Sequence, residues 1–272
     1  LIRLNLPFND DLLLGNYLAR MLPLLFALII LQFSKSKSLI FLISFLLIFT
    51  DILVFLAGER TALALLFLFT ILLILLLRNF KTIRIITLII SIIFITAISF
   101  YSSDVKNRNI DETISQLGIN ETSERIYFFS KGHESHFIGA WNMFSQNKLI
   151  GVGVNNFRNL CDKEEYNYNK ATCSTHPHNT LAQIIAELGI IGILFYLLTI
   201  IMIIYKLVKH LISYYVYKKI TLDDYQLCLY SALIISLWPL VPSLNFFHNW
   251  INIIYYLPVG FLIYNFSKTR EH

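Results

Sequence analysis

The chain has 272 residues, 56% hydrophobic and 14% charged, with a formal net charge of +5. Several apolar runs can cross about 30 Å of hydrocarbon at about 20 residues each, which excludes a soluble domain and defines a polytopic α-helical membrane protein. The positive excess sits in short loops, as cytoplasmic loops require, so no nucleic acid is expected, and three cysteines are too few for a disulfide scaffold and fit no zinc spacing.

Residues 1–16 read as a polar lead-in. Because the chain begins at Leu1 and its first residues are already loop-like, it is expected to be the C-terminal part of a longer protein. The first span is Asn16 to Phe33, with Arg20 near its start, and Lys35 and Lys37 form a basic loop. Leu39 to Ala57 is the second span, closed by Gly58-Glu59-Arg60-Thr61, and Ala62 to Leu77 is the third. Arg78, Lys81 and Arg84 mark the next connection, and Ile83 to Tyr101 is the fourth span. Residues 102–177 are too long for an ordinary connection and are expected to be functional. Thr180 to Tyr205, Leu227 to Val241 and Phe247 to Phe266 complete about seven spans in a single membrane domain, residues 1–272.

With alternating spans, the loops bearing Lys35, Arg78, Lys206 to Lys219, and Lys268 all fall on one side. The positive-inside rule makes that side cytoplasmic, so the Arg60 turn and the 102–177 loop are extracytoplasmic. Within that loop, Ser123 to Phe144 has one apolar stripe and is expected to be an amphipathic helix on the membrane surface or across the bundle, with Arg125 in its first turn. Gly151-Val152-Gly153-Val154 lacks the third glycine of a dinucleotide fingerprint and reads as a tight turn. Cys161 and Cys173 lie together in this oxidising compartment and are expected to pair, leaving Cys228 free within a span.

The loop ends at His176-Pro177-His178-Asn179-Thr180 and turns directly into a helix. Pro177 biases His176 to an extended conformation, and Asn179 or Thr180 can cap the first turn. His178 then sits by the positive end of the helix dipole, which favours the neutral imidazole that a general base needs. Two readings stand for it: a loop-end residue that merely closes a span, or a base. Arg60 and Arg125 fall on the same side of the membrane as His178 and offer permanently charged, bidentate donors for phosphate oxygens. Together the three suit a reaction with a hydroxyl nucleophile and a diphosphate leaving group. Gly189 and Gly192 are expected to admit a close neighbouring helix. Glu187, inside the span, needs a partner: Gln183 shares its face, and a facing arginine is the other candidate.

His178-Asn179, followed after nine residues by Gly189 and then Gly192, resembles the histidine motif of the O-antigen ligase family, whose related polymerases share the same domain. Glu124-Arg125-Ile126-Tyr127 through Gly151-Val152-Gly153 is similar to the family's arginine-to-Gly-x-Gly segment. Gly58-Glu59-Arg60-Thr61-Ala62 resembles its extracytoplasmic arginine turn, departing from it at Glu59. The resemblance implies a GT-C-like transmembrane bundle and a metal-independent, inverting glycosyltransferase of the bacterial inner membrane, with no cofactor. It implies transfer of a glycan from undecaprenyl diphosphate to lipid A–core on the periplasmic face; the alternative is a polymerase with the same donor and a second lipid-linked glycan as acceptor. By the same resemblance His178 is the base, Arg60 and Arg125 hold the diphosphate, Asn179 joins the substrate site, and His176 is a bystander. A polysaccharide transporter is the rival from another class, set back because most polar residues lie in one external loop rather than at the midplane.

Overall fold

A computed structural model describes residues 13–33, 38–119 and 125–270. The Lys35–Lys37 loop and the Ser123–Glu124 helix start lie outside the described residues. In chain order the elements are α1 (Leu14–Phe33), α2 (Leu39–Ala57), α3 (Arg60–Leu76), α4 (Arg78–Tyr101), α5 (Ser103–Lys106), a π-helical turn (Asn107–Asp111), α6 (Glu112–Gln116), α7 (Lys131–Gln146), α8 (Phe157–Leu160), α9 (Thr180–Tyr215), α10 (Asp224–Ser236) and α11 (Asn249–Arg270). Among the described residues there is no strand, and the protein is an all-α, multi-pass membrane protein.

Each predicted span overlaps a helix and α2 agrees with its predicted ends, but the span predicted over Leu227 to Val241 overruns α10, which stops at Ser236. Among the described residues α1, α2, α4 and α9 are long and apolar enough to cross a membrane, while α3 and residues Tyr255–Tyr264 of α11 are shorter apolar helices. With 13 residues, α10 rises only about 20 Å, less than the hydrocarbon thickness.

The chain divides into two compact units, one of Leu1–Asn109, Ile203–Ser236 and Ile254–His272, the other of Ile110–Met202 and Leu237–Ile253. In the first, α1 packs against α2, α3 and α10, and Phe26 meets the edges of Phe69 and Phe80 with ring centroids 6.0 and 5.3 Å away. Phe41, Phe45 and Phe67 on α2 and α3, and Ile92 and Ile93 on α4, stay exposed, as lipid-facing positions should.

Charges inside this unit are matched to specific partners. The sequence places Arg84 in a connection, but it is buried in α4. Its guanidinium donates two bonds to Asp51 of α2, at 2.7 and 3.0 Å, and others to Thr70 of α3, while the Ser91 hydroxyl donates to the same aspartate. A bidentate pair with its remaining acceptors satisfied is the form in which an arginine persists among apolar helices. Arg20 of α1, also buried, donates to the Ile235 and Ser236 carbonyls at the C-terminal, negative end of α10 and lies 4.9 Å from the Tyr255 ring centroid. Glu59 accepts from the backbone N–H of Gly15 (2.7 Å) and Asn16 (3.0 Å), and so caps the first turn of α1. That gives the residue departing from the family turn a role of its own.

In the second unit α9 is broken. Gly189 has φ 64° and ψ −153°, backbone angles open to glycine alone, so helical geometry stops at residue 188 and resumes at residue 190. The turn after α7 fills the gap. Val152 and Gly153 donate backbone N–H bonds to the carbonyls of Ala186 (2.9 Å) and Glu187 (3.0 Å). On the far side, Ile190 and Ile191 donate to the carbonyls of Lys148 (2.8 Å) and Leu149 (3.3 Å). A Cβ at Gly151 would strike the Glu187 backbone, and one at Gly189 would lie 2.6 Å from the Leu149 carbonyl. The expected tight turn is there, but Gly189 admits a loop rather than a helix, and Gly192 faces the Leu188 side chain of its own helix.

Glu187 secures the inserted turn. Its carboxylate accepts from the backbone N–H of Asn155 (2.9 Å) and Phe157 (3.0 Å) and from the Gln183 amide (3.2 Å). The partners are therefore Gln183 and two main-chain amides, not a facing arginine. Below the turn, Ala140 and Met143 of α7, Phe157 of α8 and Ala186 of α9 form one buried cluster with Cys161 and Tyr166. Cys161 and Cys173 are disulfide-bonded with Cα atoms 5.1 Å apart, and Cys228 is free and buried.

Candidate active site

The loop that delivers His178 is fixed before the helix begins. The Asn179 amide donates to the carbonyls of Pro239 (2.8 Å) and Val241 (3.1 Å), while its Oδ1 accepts the Ala182 N–H (3.0 Å) and caps α9. Ser243 donates its N–H to the His178 carbonyl (2.8 Å), and its hydroxyl meets that of Thr180 at 2.8 Å. Gln183 exchanges bonds with Asn245 and the Phe246 N–H. Asn179 thus holds the loop to residues 239–243. His178 itself adopts a left-handed φ of 53°, a costly conformation that marks a residue whose side chain is aimed by its surroundings.

Four histidines converge there. The His178 ring lies 4.2 Å from that of His176, 5.2 Å from His136 and 5.9 Å from His133, centroid to centroid. Carbonyl acceptors fix two tautomers. His136 Nδ1–H donates to the Thr172 carbonyl (2.9 Å), and His176 Nε2–H to the Ser243 carbonyl (3.1 Å). His133 Nδ1 meets the Ser130 hydroxyl at 2.7 Å, and His178 Nε2 meets that of Ser174 at 2.9 Å. Burial, reinforced by the neighbouring imidazoles, pushes His178 down to about 3. Burial lowers His176 to about 4 despite the Ser243 carbonyl. Both rings are neutral at physiological pH, the form a base requires. His176 is buried and packs on His178.

No motif marks His133 and His136 in the sequence, although their three-residue spacing inside the predicted Ser123–Phe144 helix places them on one face. That helix begins later than predicted, at Lys131, because the Ser130 hydroxyl accepts the His133 N–H and Phe129, at φ 68°, turns the chain just before it. Arg125 is therefore not in its first turn. It lies ahead of α7, its exposed guanidinium 2.6 Å from Glu134 of that helix and 5.3 Å from the Tyr127 ring centroid. Arg60 opens α3, in the first unit, whereas His178, Asn179 and Arg125 belong to the second.

Among the described residues, the close set of metal-type ligands is Cys161, Asp162 and Cys173. Both sulfurs are committed to the disulfide, so this set offers no thiolate to a cation.

No curated protein matches the chain. The family model described as O-antigen ligase matches residues 42–197, a stretch that takes in the Arg60 turn, the histidine-bearing face of α7, the inserted Gly-x-Gly turn, His178 and the break in α9. With more than half of its length matched, the chain belongs to the O-antigen ligase family.

Proposed function

We propose that this protein is the ligase itself, moving a glycan from undecaprenyl diphosphate to lipid A–core on the periplasmic face of the bacterial inner membrane. The observation that carries the reading is a neutral His178, held on a pinned loop at the mouth of α9 in a chain of the ligase family. His178 takes the proton of the acceptor hydroxyl as that oxygen attacks the anomeric carbon. The bond from this carbon to the diphosphate oxygen breaks on the opposite face, which inverts the configuration. The diphosphate leaves with its charge spread over the guanidiniums of Arg60 and Arg125, which take the part a metal ion could otherwise play.

The electrostatics support this order of events. An imidazolium at His178 is disfavoured in the resting site, so the site holds a free base. A bound diphosphate supplies the negative charge that makes proton uptake favourable in the transition state. Arg125 can leave Glu134 for the diphosphate at little cost, because an exposed ion pair contributes about 0–1 kcal/mol. Asn179 acts by aiming His178 rather than by touching substrate.

The test is a deletion strain complemented with variants, with lipopolysaccharide resolved on a gel. Loss of all O-chains with accumulation of lipid-linked polymer is expected of the deletion, and single-repeat caps would instead identify a polymerase. His178→Ala should behave as the deletion at matched membrane expression, since loss of a general base costs about 10² to 10⁴ in rate. Arg60→Lys and Arg125→Lys should be severely impaired, because lysine keeps the charge and loses the fork. Near-normal O-chains in His178→Ala would return that residue to the role of a helix-end cap.

A further inference from the structure

Two of the basic connections that the positive-inside rule assigns to one side of the membrane also share a cavity. It lies within the first unit, between the α3–α4 junction and the segment joining α9 to α10, and encloses about 720 Å³. Arg78, Lys81 and Lys218 bring three cations to its wall, against one carboxylate, Asp224. That carboxylate is engaged by the Asn79 amide at 3.0 Å. The Arg78 guanidinium donates to the Tyr214 hydroxyl and lies 6.0 Å from its ring centroid, while Lys218 Nζ donates to the Tyr215 carbonyl (3.1 Å). The Leu222 N–H donates to His210 Nδ1 (3.1 Å), which places the proton of the neutral ring on Nε2 as a further donor. The remaining wall is apolar, with Ile74, Leu76 and Leu227.

An excess of cations, two tyrosines and an apolar remainder describe the surroundings of an acidic headgroup whose chains continue into lipid. We propose that this cavity binds the phosphate-bearing headgroup of an anionic membrane lipid. Arg78 supplies the planar fork that matches two phosphate oxygens, and the two lysines act as point charges. No residue of this site is among those assigned to the transfer reaction, so it is a second, separate lipid site. It stands or falls independently of the acceptor chosen by the enzyme.

Native mass spectrometry of the detergent-purified chain, titrated with phosphatidylglycerol or with phosphatidylcholine of the same acyl chains, tests the proposal. At roughly fivefold per basic side chain, the triple variant Arg78→Ala, Lys81→Ala, Lys218→Ala should lose phosphatidylglycerol about a hundredfold. Lys163→Ala with Lys170→Ala, in the large loop, should bind as wild type. Should the triple variant fail to fold, Arg78→Lys carries the test, weakening phosphatidylglycerol severalfold at unaltered thermal stability. Millimolar inorganic phosphate should not displace the lipid. Equal retention of the two lipids, unchanged binding by the triple variant or by Arg78→Lys, or full displacement by inorganic phosphate would each overturn the lipid site.

Discussion

Gly189→Ala tests whether the broken α9 is a structural necessity. At φ 64° and ψ −153° an L side chain costs about 1–3 kcal/mol before any contact is counted. Its Cβ would also lie 2.6 Å from the Leu149 carbonyl and the Lys148 oxygen, backbone atoms that can retreat only by withdrawing the inserted turn. Withdrawal forfeits the four backbone hydrogen bonds that close the gap. At about 1 kcal/mol each, these add roughly 4 kcal/mol, for a total of roughly 5–7 kcal/mol. For a chain of this size that lowers the unfolding midpoint by roughly 10–28 °C. Thermal unfolding of purified protein in detergent reads the first effect, and the lipopolysaccharide gel reads the second, because the turn and His178 belong to one packed unit. Gly132→Ala is the control: a Cβ there meets only the Ser130 hydroxyl at 3.8 Å, in a helix where alanine should stabilise by about 0.5–1 kcal/mol. A Gly189→Ala protein with wild-type midpoint and O-chains would refute the reasoning, and with it the view that the turn is wedged between two half-helices.

Burial holds His176 at about 4 and His178 at about 3, against about 6.5 in an unfolded chain. The unfolded chain therefore binds the extra protons, and this contribution to stability is whole above pH 6.5 and lost as pH falls towards 4 and 3. The slope reaches about 1.4 kcal/mol per pH unit for each ring, so the midpoint should drop between about pH 7 and about pH 5. His176→Ala should flatten that drop, and identical profiles for wild type and variant would contradict it. Arg84→Met strands Asp51 among apolar helices and should cost roughly 3–5 kcal/mol; adding Asp51→Leu should recover most of it, and a double variant no more stable than the single would count against the pair. Cys161→Ser should lower stability by about 3 kcal/mol through the loop that the disulfide closes, checked by denaturation beside non-reducing mass mapping of the wild type.

Local pattern made much of this architecture legible. The apolar run of α2 between Ser38 and Gly58 carries its own boundaries, and the Pro177-to-Thr180 junction announces where α9 starts. What escaped were features made by residues far apart in the chain. A glycine inside an apolar run is ordinarily tolerated in a helix, so Gly189 marks a break only once the 148–153 turn is docked against it. Arg84 near a span end reads as a loop charge until Asp51 and Thr70 are brought to it by two other helices. Ser123 and Ser130 are equally good caps on paper, and an aromatic at positive φ, Phe129, is a choice no propensity favours. The signal of His178 is local, whereas the burial that keeps it neutral, and the three imidazoles that reinforce it, come from α7 and from across Pro177.

The inserted turn also fixes an order of assembly. As α9 leaves the ribosome its apolar stretch can enter the bilayer as one uninterrupted rod, because nothing local forces Gly189 out of helical geometry. The break forms only after the preceding loop has folded, since the wedge that holds the gap open comes from that loop. Until then Glu187 has no main-chain amides to accept from. Maturation of this segment is therefore a late event, and a loop that failed to fold would leave an intact helix with its histidine unplaced.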